Sequence, residues 1–201
     1  MTKQRMEDRH CVFGKVGLGA QLRRLAGARE GAGAVEFAII VPLLIVGYLG
    51  AYEVSVGWSF LNKVGRSAAT IADVIARKTN VTAATINEMT LVASNIMAPY
   101  TAENYRLKIT GIQVDKDGNA TVAWSRDEKG AVPYVKGSAV SLPAAMTETE
   151  AFIVRSELSL PYKILTMLPG VDSSAVEPIT LGRTNYSLER QGKSITCSDC
   201  G

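Results

Sequence analysis

Residues 37–52 contain no charged side chain, and beyond Glu53 the apolar character resumes through Val54, Val56, Trp58, Phe60 and Leu61. A small soluble core has no use for an uninterrupted run of this length, whereas a helix crossing a ~30 Å hydrocarbon layer needs roughly 20 such residues. The run therefore predicts a membrane-spanning helix, interrupted only by Glu36, Pro42 and Glu53. With 201 residues in the chain, one span leaves room for one modest domain.

The charges give the span a direction. In residues 1–31 seven bases (Lys3, Arg5, Arg9, Lys15, Arg23, Arg24, Arg29) face only Glu7, Asp8 and Glu30, a net of +4, while the whole chain carries +3. The basic part thus lies ahead of the apolar run, and positive residues close to a span stay on the cytoplasmic side. The long C-terminal part is then expected outside the cytoplasm, where a disulfide between Cys197 and Cys200 can persist. A net charge this small gives no sign of a nucleic-acid partner. Nor does the start follow the order of a cleaved secretory signal, because the small residues 31–34 precede the apolar run instead of following it.

Residues 1–20 combine charges with Gly14, Gly17 and Gly19 and have too little periodic apolar content to fold alone. His10, the one histidine of the chain, falls in this leader and reads as a solvated side chain. Within the span, Gly47, Ala51, Ser55 and Ser59 recur every four residues, which is either a face for close helix packing or the ordinary abundance of small residues in membrane helices. Pro42 removes one helical hydrogen bond and marks a bend. Glu53 lies some 25 Å along the helix from Glu36, at the opposite interface.

Leu61, Val64, Ala68, Ile71 and Ile75 then recur at spacings of three and four, with Asn62, Arg66, Thr70, Asp73 and Arg77 on the other side. The helix is expected to leave the membrane as an amphipathic stem ending at Thr79 and Asn80. A second helix is expected from a capping box at Thr85 and Glu88, with Ile86, Met89, Val92 or Ala93, and Ile96 inward, stopped by Pro99. Tyr105, Leu107 and Ile109, then Ile112 and Val114, predict a strand. It turns through residues 115–119 into a second strand over 120–124. The Asp115, Asp117, Asn119 spacing lacks the remaining ligands of a calcium loop and is read as a turn. Residues 126–147 read as loop, 152–160 as a strand, Pro161 as the start of a short helix through Leu168, and 179–188 as a further strand. The fold class is α+β: a long N-terminal membrane-spanning helix continuing as a stem, then a small antiparallel sheet domain with short helices. The expected divisions are a leader over 1–31, helix and stem over 32–78, and an extracytoplasmic domain over 79–201.

Three arrangements carry the functional reading. Glu36 near the apolar run costs about 2.5–3.5 kcal/mol if ionised in the bilayer interior. It either sits at the headgroup edge, favouring the helix N-terminus through the macrodipole, or it answers a partner cation. Cys197 and Cys200 allow a redox pair, half a metal site or a local disulfide. Outside the leader no second Cys or His pair completes a zinc site, so the disulfide is preferred. The exported part has no histidine, no Gly-x-Ser-x-Gly elbow, no Walker motif and no dinucleotide fingerprint, so neither an enzyme nor a cofactor or metal is expected.

Arg23, Arg24 and Leu25, then the run Arg29, Glu30, Gly31, Ala32, Gly33, Ala34, Val35, Glu36, Phe37, Ala38, then Pro42, Leu43 and Leu44 resemble the N-terminus of TadE/TadG-type proteins. These are pilin-like components of the tight adherence pilus. The resemblance continues in 62–76, in Val122 to Ser125, in 153–162, and in 179–181 with Tyr186 and Cys197. It implies cleavage between Gly31 and Ala32 by an inner-membrane prepilin peptidase, with Glu36 as the fifth mature residue. It implies further that Glu36 pairs with the freed amine of Ala32 on a neighbouring subunit. The partners implied are other pilins or pseudopilins, the inner-membrane assembly platform and the membrane itself; the location implied is the bacterial inner membrane, single-pass, with a periplasmic C-terminal domain. The Asn80, Asn119 and Asn185 glycosylation patterns are then chance matches. The competing reading is a periplasmic binding module that uses the helix only as a tether.

Overall fold

The computed structural model describes residues 31–100, 104–143, 146, 150–164, 177–192 and 194–200. The leader residues 1–30, His10 included, lie outside the described residues. The described residues form an α+β protein: helix α1 (Ala32–Ala76), strand β1 (Asn80–Val81), helix α2 (Ala83–Met97), strands β2 (Arg106–Val114), β3 (Ala120–Asp127), β4 (Phe152–Tyr162) and β5 (Ile179–Leu188), and strand β6 (Thr196–Cys197). The four longer strands make an antiparallel sheet in the order β3-β2-β4-β5, and β1 pairs with β6 in parallel.

The chain divides into two units by contact, residues 1–48 and residues 49–201. In the first, the described part is one helical segment whose large apolar side chains, among them Val35, Phe37, Ile39, Leu43, Leu44, Ile45 and Val46, are exposed. Helix α1 runs through Pro42 without a break. In the second unit α1 becomes a core element: Phe60, Val64, Ser67, Ala68, Ile71, Ala72, Ile75 and Ala76 are buried. The expected boundary at residue 79 falls inside this unit, because the stem supplies one layer of its core. Each large aliphatic side chain so buried contributes about 1.5–3 kcal/mol.

The stem lies on one sheet face with α2, whose Ile86, Met89, Ala93 and Met97 point into the same cluster as Leu107, Ile109, Trp124, Phe152, Val154, Leu158 and Leu160. Met97 takes the inward place expected of Ile96. The stem is also held by polar contacts: Asn185 Nδ2 donates to Gly65 O at 3.0 Å, Arg190 N–H donates to Ala76 O at 3.2 Å, and Arg190 pairs with Asp73 at 3.1 Å. The opposite sheet face carries a smaller cluster, Ile112, Val114, Ala120 and Ile153, covered by Val140, Leu142, Met146, Ala151 and Tyr186.

Two sequence expectations are corrected. The N-cap of α2 is Thr82, whose hydroxyl accepts the Thr85 N–H at 3.2 Å; Thr85 and Glu88 do not open the helix. Asp199 Oδ1 accepts the Ala83 N–H at 2.8 Å, so the helix starts one turn earlier with two of its orphan donors satisfied. Pro161 does not start a helix: it lies in β4 opposite Thr180. Strand β2 ends opposite Ser159, so at Pro161 β4 has a neighbour on one side only and tolerates a residue that cannot donate. The expected helix through Leu168 otherwise falls on residues outside the described ones.

Candidate functional site

Helix α1 carries most of the residues singled out by the sequence. Gly31 is exposed just ahead of it, Ala32 is its first residue, and Glu36, Gly47, Ala51 and Ser55 are all exposed along it. A side chain at Gly47 would meet no other atom within 4 Å. The first turn of α1 holds no acidic residue, and Glu36 stands beyond it. The macrodipole effect fades within the first turn, which weakens the reading of Glu36 as a helix-end stabiliser. Among the described residues α1 is the one helix long and apolar enough to cross a membrane by length and composition.

The C-terminal segment is a second locus. Cys197 and Cys200 lie at disulfide distance, with Cα atoms 5.6 Å apart. Cys200 is buried, as is Ile195. The Ile195 carbonyl accepts the indole N–H of Trp124 at 2.8 Å, and the Thr196 N–H donates to Thr79 O at 3.2 Å. Asp199 caps α2 through its side chain, and its carbonyl accepts from Arg126 at 3.3 Å. Cys197, Asp199 and Cys200 bring three potential metal donors within 4.8 Å of one another. Joined as a disulfide the sulfurs are no longer thiolate ligands, and Asp199 Oδ1 is already committed to Ala83. What this arrangement does is fasten the C-terminal strand β6 to the start of α2 and to β3.

A polar cluster covers the outer sheet face. Tyr134 lies with its ring 4.4 Å from the Arg155 guanidinium and 5.4 Å from Lys108 Nζ. Its hydroxyl donates to Glu157 Oε1 at 3.3 Å, and Arg155 Nε faces Glu157 Oε2 at 3.5 Å. Burial, together with the Glu157 carboxylate, raises the Tyr134 phenol above its ordinary pKa. Beside it Arg106, Lys108, Glu157, Ser159 and Thr184 line a shallow depression of about 240 Å³. The ion pair here joins Arg155 and Glu157 along one strand, β4, while Tyr134 meets both of them and Lys108 of the neighbouring β2.

The turn at Asp115 is also settled by its contacts. Asp115 Oδ1 accepts the N–H groups of Asp117 (3.0 Å) and Asn119 (2.8 Å), and Oδ2 accepts from Asn119 Nδ2 at 3.0 Å. Those hydrogen bonds, Asn119 first, hold the carboxyl below the usual carboxylate range. Its oxygens are used up in closing the hairpin.

Sequence reasoning missed Asp199, the Trp124–Ile195 bond and the Tyr134 cluster. Each joins residues far apart in the chain, and only the lone buried-type Trp124 in an otherwise small-residue strand hinted at one of them. Comparison of the chain with family models, with curated proteins and with solved structures finds no match among any of the three.

Proposed function

We propose that this chain is a pilin-like structural protein of the tight adherence type, anchored in the bacterial inner membrane by α1 and assembled with other pilins or pseudopilins through that helix. The reading is carried by one observation: small residues 31–34 stand ahead of the apolar run, and Glu36 is exposed on α1 beyond the first turn. Cleavage between Gly31 and Ala32 by a prepilin peptidase would free an α-amino group, which is mostly cationic near neutral pH. That cation on one subunit offsets the cost of a carboxylate beside lipid on its neighbour. The exposed apolar side chains of the same helix then face lipid and neighbouring helices, with Gly47, Ala51 and Ser55 as the positions where a second backbone approaches most closely. The domain beyond the membrane lies in the periplasm, where Cys197 and Cys200 are oxidised to each other.

The test is the mature N-terminus in cells with an active prepilin peptidase. Mass spectrometry should find the chain beginning at Ala32, and a bulky residue at Gly31 should leave it beginning at Met1. Glu36→Gln should insert and be cut normally yet lose association with other pilins. Intact wild-type protein, or normal assembly of Glu36→Gln, would instead make α1 a simple tether for a periplasmic binding module.

A further inference from the structure

Where α1 enters the domain, aromatic side chains from three separate parts of the chain gather over about 12 Å of helix rise. Tyr52 and Trp58 project from α1 and are 39% and 64% exposed. Phe60, two residues on, is buried against Tyr100 at 5.1 Å between centroids and against Tyr162 at 5.0 Å. Tyr100 follows α2 and Tyr162 ends β4, and both keep part of their surface exposed. The Tyr162 ring comes within 3.7 Å of where a side chain on Gly57 would begin. Burial raises its phenol above the ordinary value, with the Glu53 carboxylate and the hydroxyls of Tyr100 and Tyr52 adding to the effect. Lys63 donates to the Ala98 carbonyl and lies over the Tyr100 ring, 5.4 Å from its centroid, and Lys163, next to Tyr162, is exposed.

The level is set by the length of the apolar run. From residue 35 to residue 52 a helix rises about 25 Å at 1.5 Å per residue, a little less than the ~30 Å of a hydrocarbon core. Trp58 stands about 9 Å further on, within or just beyond the headgroup layer that thickens the bilayer to about 40–45 Å. Tyrosine and tryptophan, with an apolar ring and one polar atom, gain most at that boundary. A soluble domain on a flexible tether would have no reason to gather such residues around the base of its stem.

We propose that Tyr52, Trp58, Tyr100 and Tyr162 form a collar that seats the domain directly on the lipid headgroup layer, so that the domain lies against the bilayer surface. The proposal rests on the membrane-anchor part of the function proposed above. It adds a contact between the domain and lipid that an anchor alone does not require. In that arrangement Trp58 meets the lipid from α1, and Tyr162 and Tyr100 meet it from the domain.

The experiment uses the full chain reconstituted into phosphatidylcholine vesicles. The chain has two tryptophans, and Trp124 is buried within the domain, so lipid quenching reports Trp58. Lipids brominated near the glycerol end of the acyl chain should quench Trp58 more than lipids brominated near the methyl end, and its emission should lie to the blue of the solvent-exposed value. Trp58→Phe should abolish the lipid-dependent quenching. In the double variant Trp58→Phe, Tyr162→Trp, quenching by the shallow bromines should return, the near-ultraviolet circular dichroism of Trp124 serving as the check on folding. If that variant fails to fold, Tyr100→Trp in the Trp58→Phe background takes its place, and a folded variant at either position that stays unquenched overturns the collar. Vesicle-bound protein whose Trp58 is unquenched overturns the collar and leaves the anchor standing. Stronger quenching by the deep bromines also overturns it, because Trp58 would then lie within the span. Protein that does not float with the vesicles overturns the anchor and the collar together.

Discussion

Gly111→Ala should destabilise the domain, although adding a methyl group to a strand glycine ordinarily helps. A glycine inside a strand loses more freedom on folding than alanine does, so the substitution by itself would gain about 0.4–1 kcal/mol. The surroundings of Gly111 reverse the sign. A Cβ placed there would lie 2.5 Å from Trp124 Cε2, 2.6 Å from Trp124 Nε1 and 2.7 Å from Phe152 Cζ. Carbon atoms prefer about 3.5–4.0 Å, so both rings would have to retreat by about 1 Å. Neither has room, since Trp124 is 4% exposed and Phe152 3%. Trp124 is in addition fixed by its hydrogen bond to the Ile195 carbonyl, and turning it away would strand a buried acceptor. Overpacking costs typically 1–3 kcal/mol and an orphaned buried polar group about 1–3 kcal/mol, leaving a net loss of about 2–4 kcal/mol. For a chain of this size each kcal/mol lowers Tm by about 2–4 °C, so a fall of roughly 5–15 °C is expected. Thermal unfolding in detergent micelles, followed by the near-ultraviolet signal of Trp124, measures it. Gly65→Ala is the control, because within 4 Å its Cβ would meet only Arg183 Cγ, at an ordinary 3.7 Å. A Gly111→Ala protein as stable as wild type would show that Trp124 and Phe152 do not close over this position.

Two further outcomes follow from the hairpin turn and the C-terminus. The Asp115 carboxyl should titrate below an ordinary aspartate, as read from its carbon chemical shift against pH. With the folded pKa depressed, the stabilisation it gives the turn is present above the unfolded value of about 3.9 and is lost as pH falls through the folded one; an ordinary or raised titration would contradict the contacts with Asn119. Alkylation of denatured, non-reduced protein should modify neither Cys197 nor Cys200, and free thiols at both would refute the bridge. Because the closed loop is short, reducing it should loosen the C-terminal segment while costing less than the ~3 kcal/mol of a 15-residue loop.

The parts of the fold written in local pattern were legible. The three-and-four spacing of Leu61, Val64, Ala68, Ile71 and Ile75 gave the inward face of the stem; the last four are buried and Leu61 is half-buried. The alternation on either side of residues 115–119 gave the β2–β3 hairpin. What local pattern could not give is where one partner is remote. Thr85 and Glu88 satisfy the capping-box rule, yet the helix begins at Ala83 because Asp199, 116 residues away, supplies the acceptor for its first amide. Strand β3 also conceals a change of face. Gly111 lies opposite Trp124 and Ile112 opposite Val122, which makes Ala123 an extra residue. That bulge sends Ala120 and Trp124 to opposite faces although both numbers are even, and simple alternation puts them together.

Helix α1 itself was legible for a different reason, which bears on how it is surrounded. Residues 37–52 carry no charge on any side, and a helix hydrophobic all round must be surrounded. From Phe60 onward only one side is apolar, and there the domain does the surrounding: Ser67, Ala68, Ala72 and Ala76 are buried with Val64, Ile71 and Ile75. The small residues bring the backbone close to the sheet, and the three large ones contribute together on the order of 5–9 kcal/mol. That is comparable to the whole stability of a typical domain. The stem therefore cannot peel from the sheet without unfolding it. In a chain that works by assembly through its helix, as proposed, any load taken up by the stem passes straight into the sheet, with no flexible joint at residue 79 to absorb it.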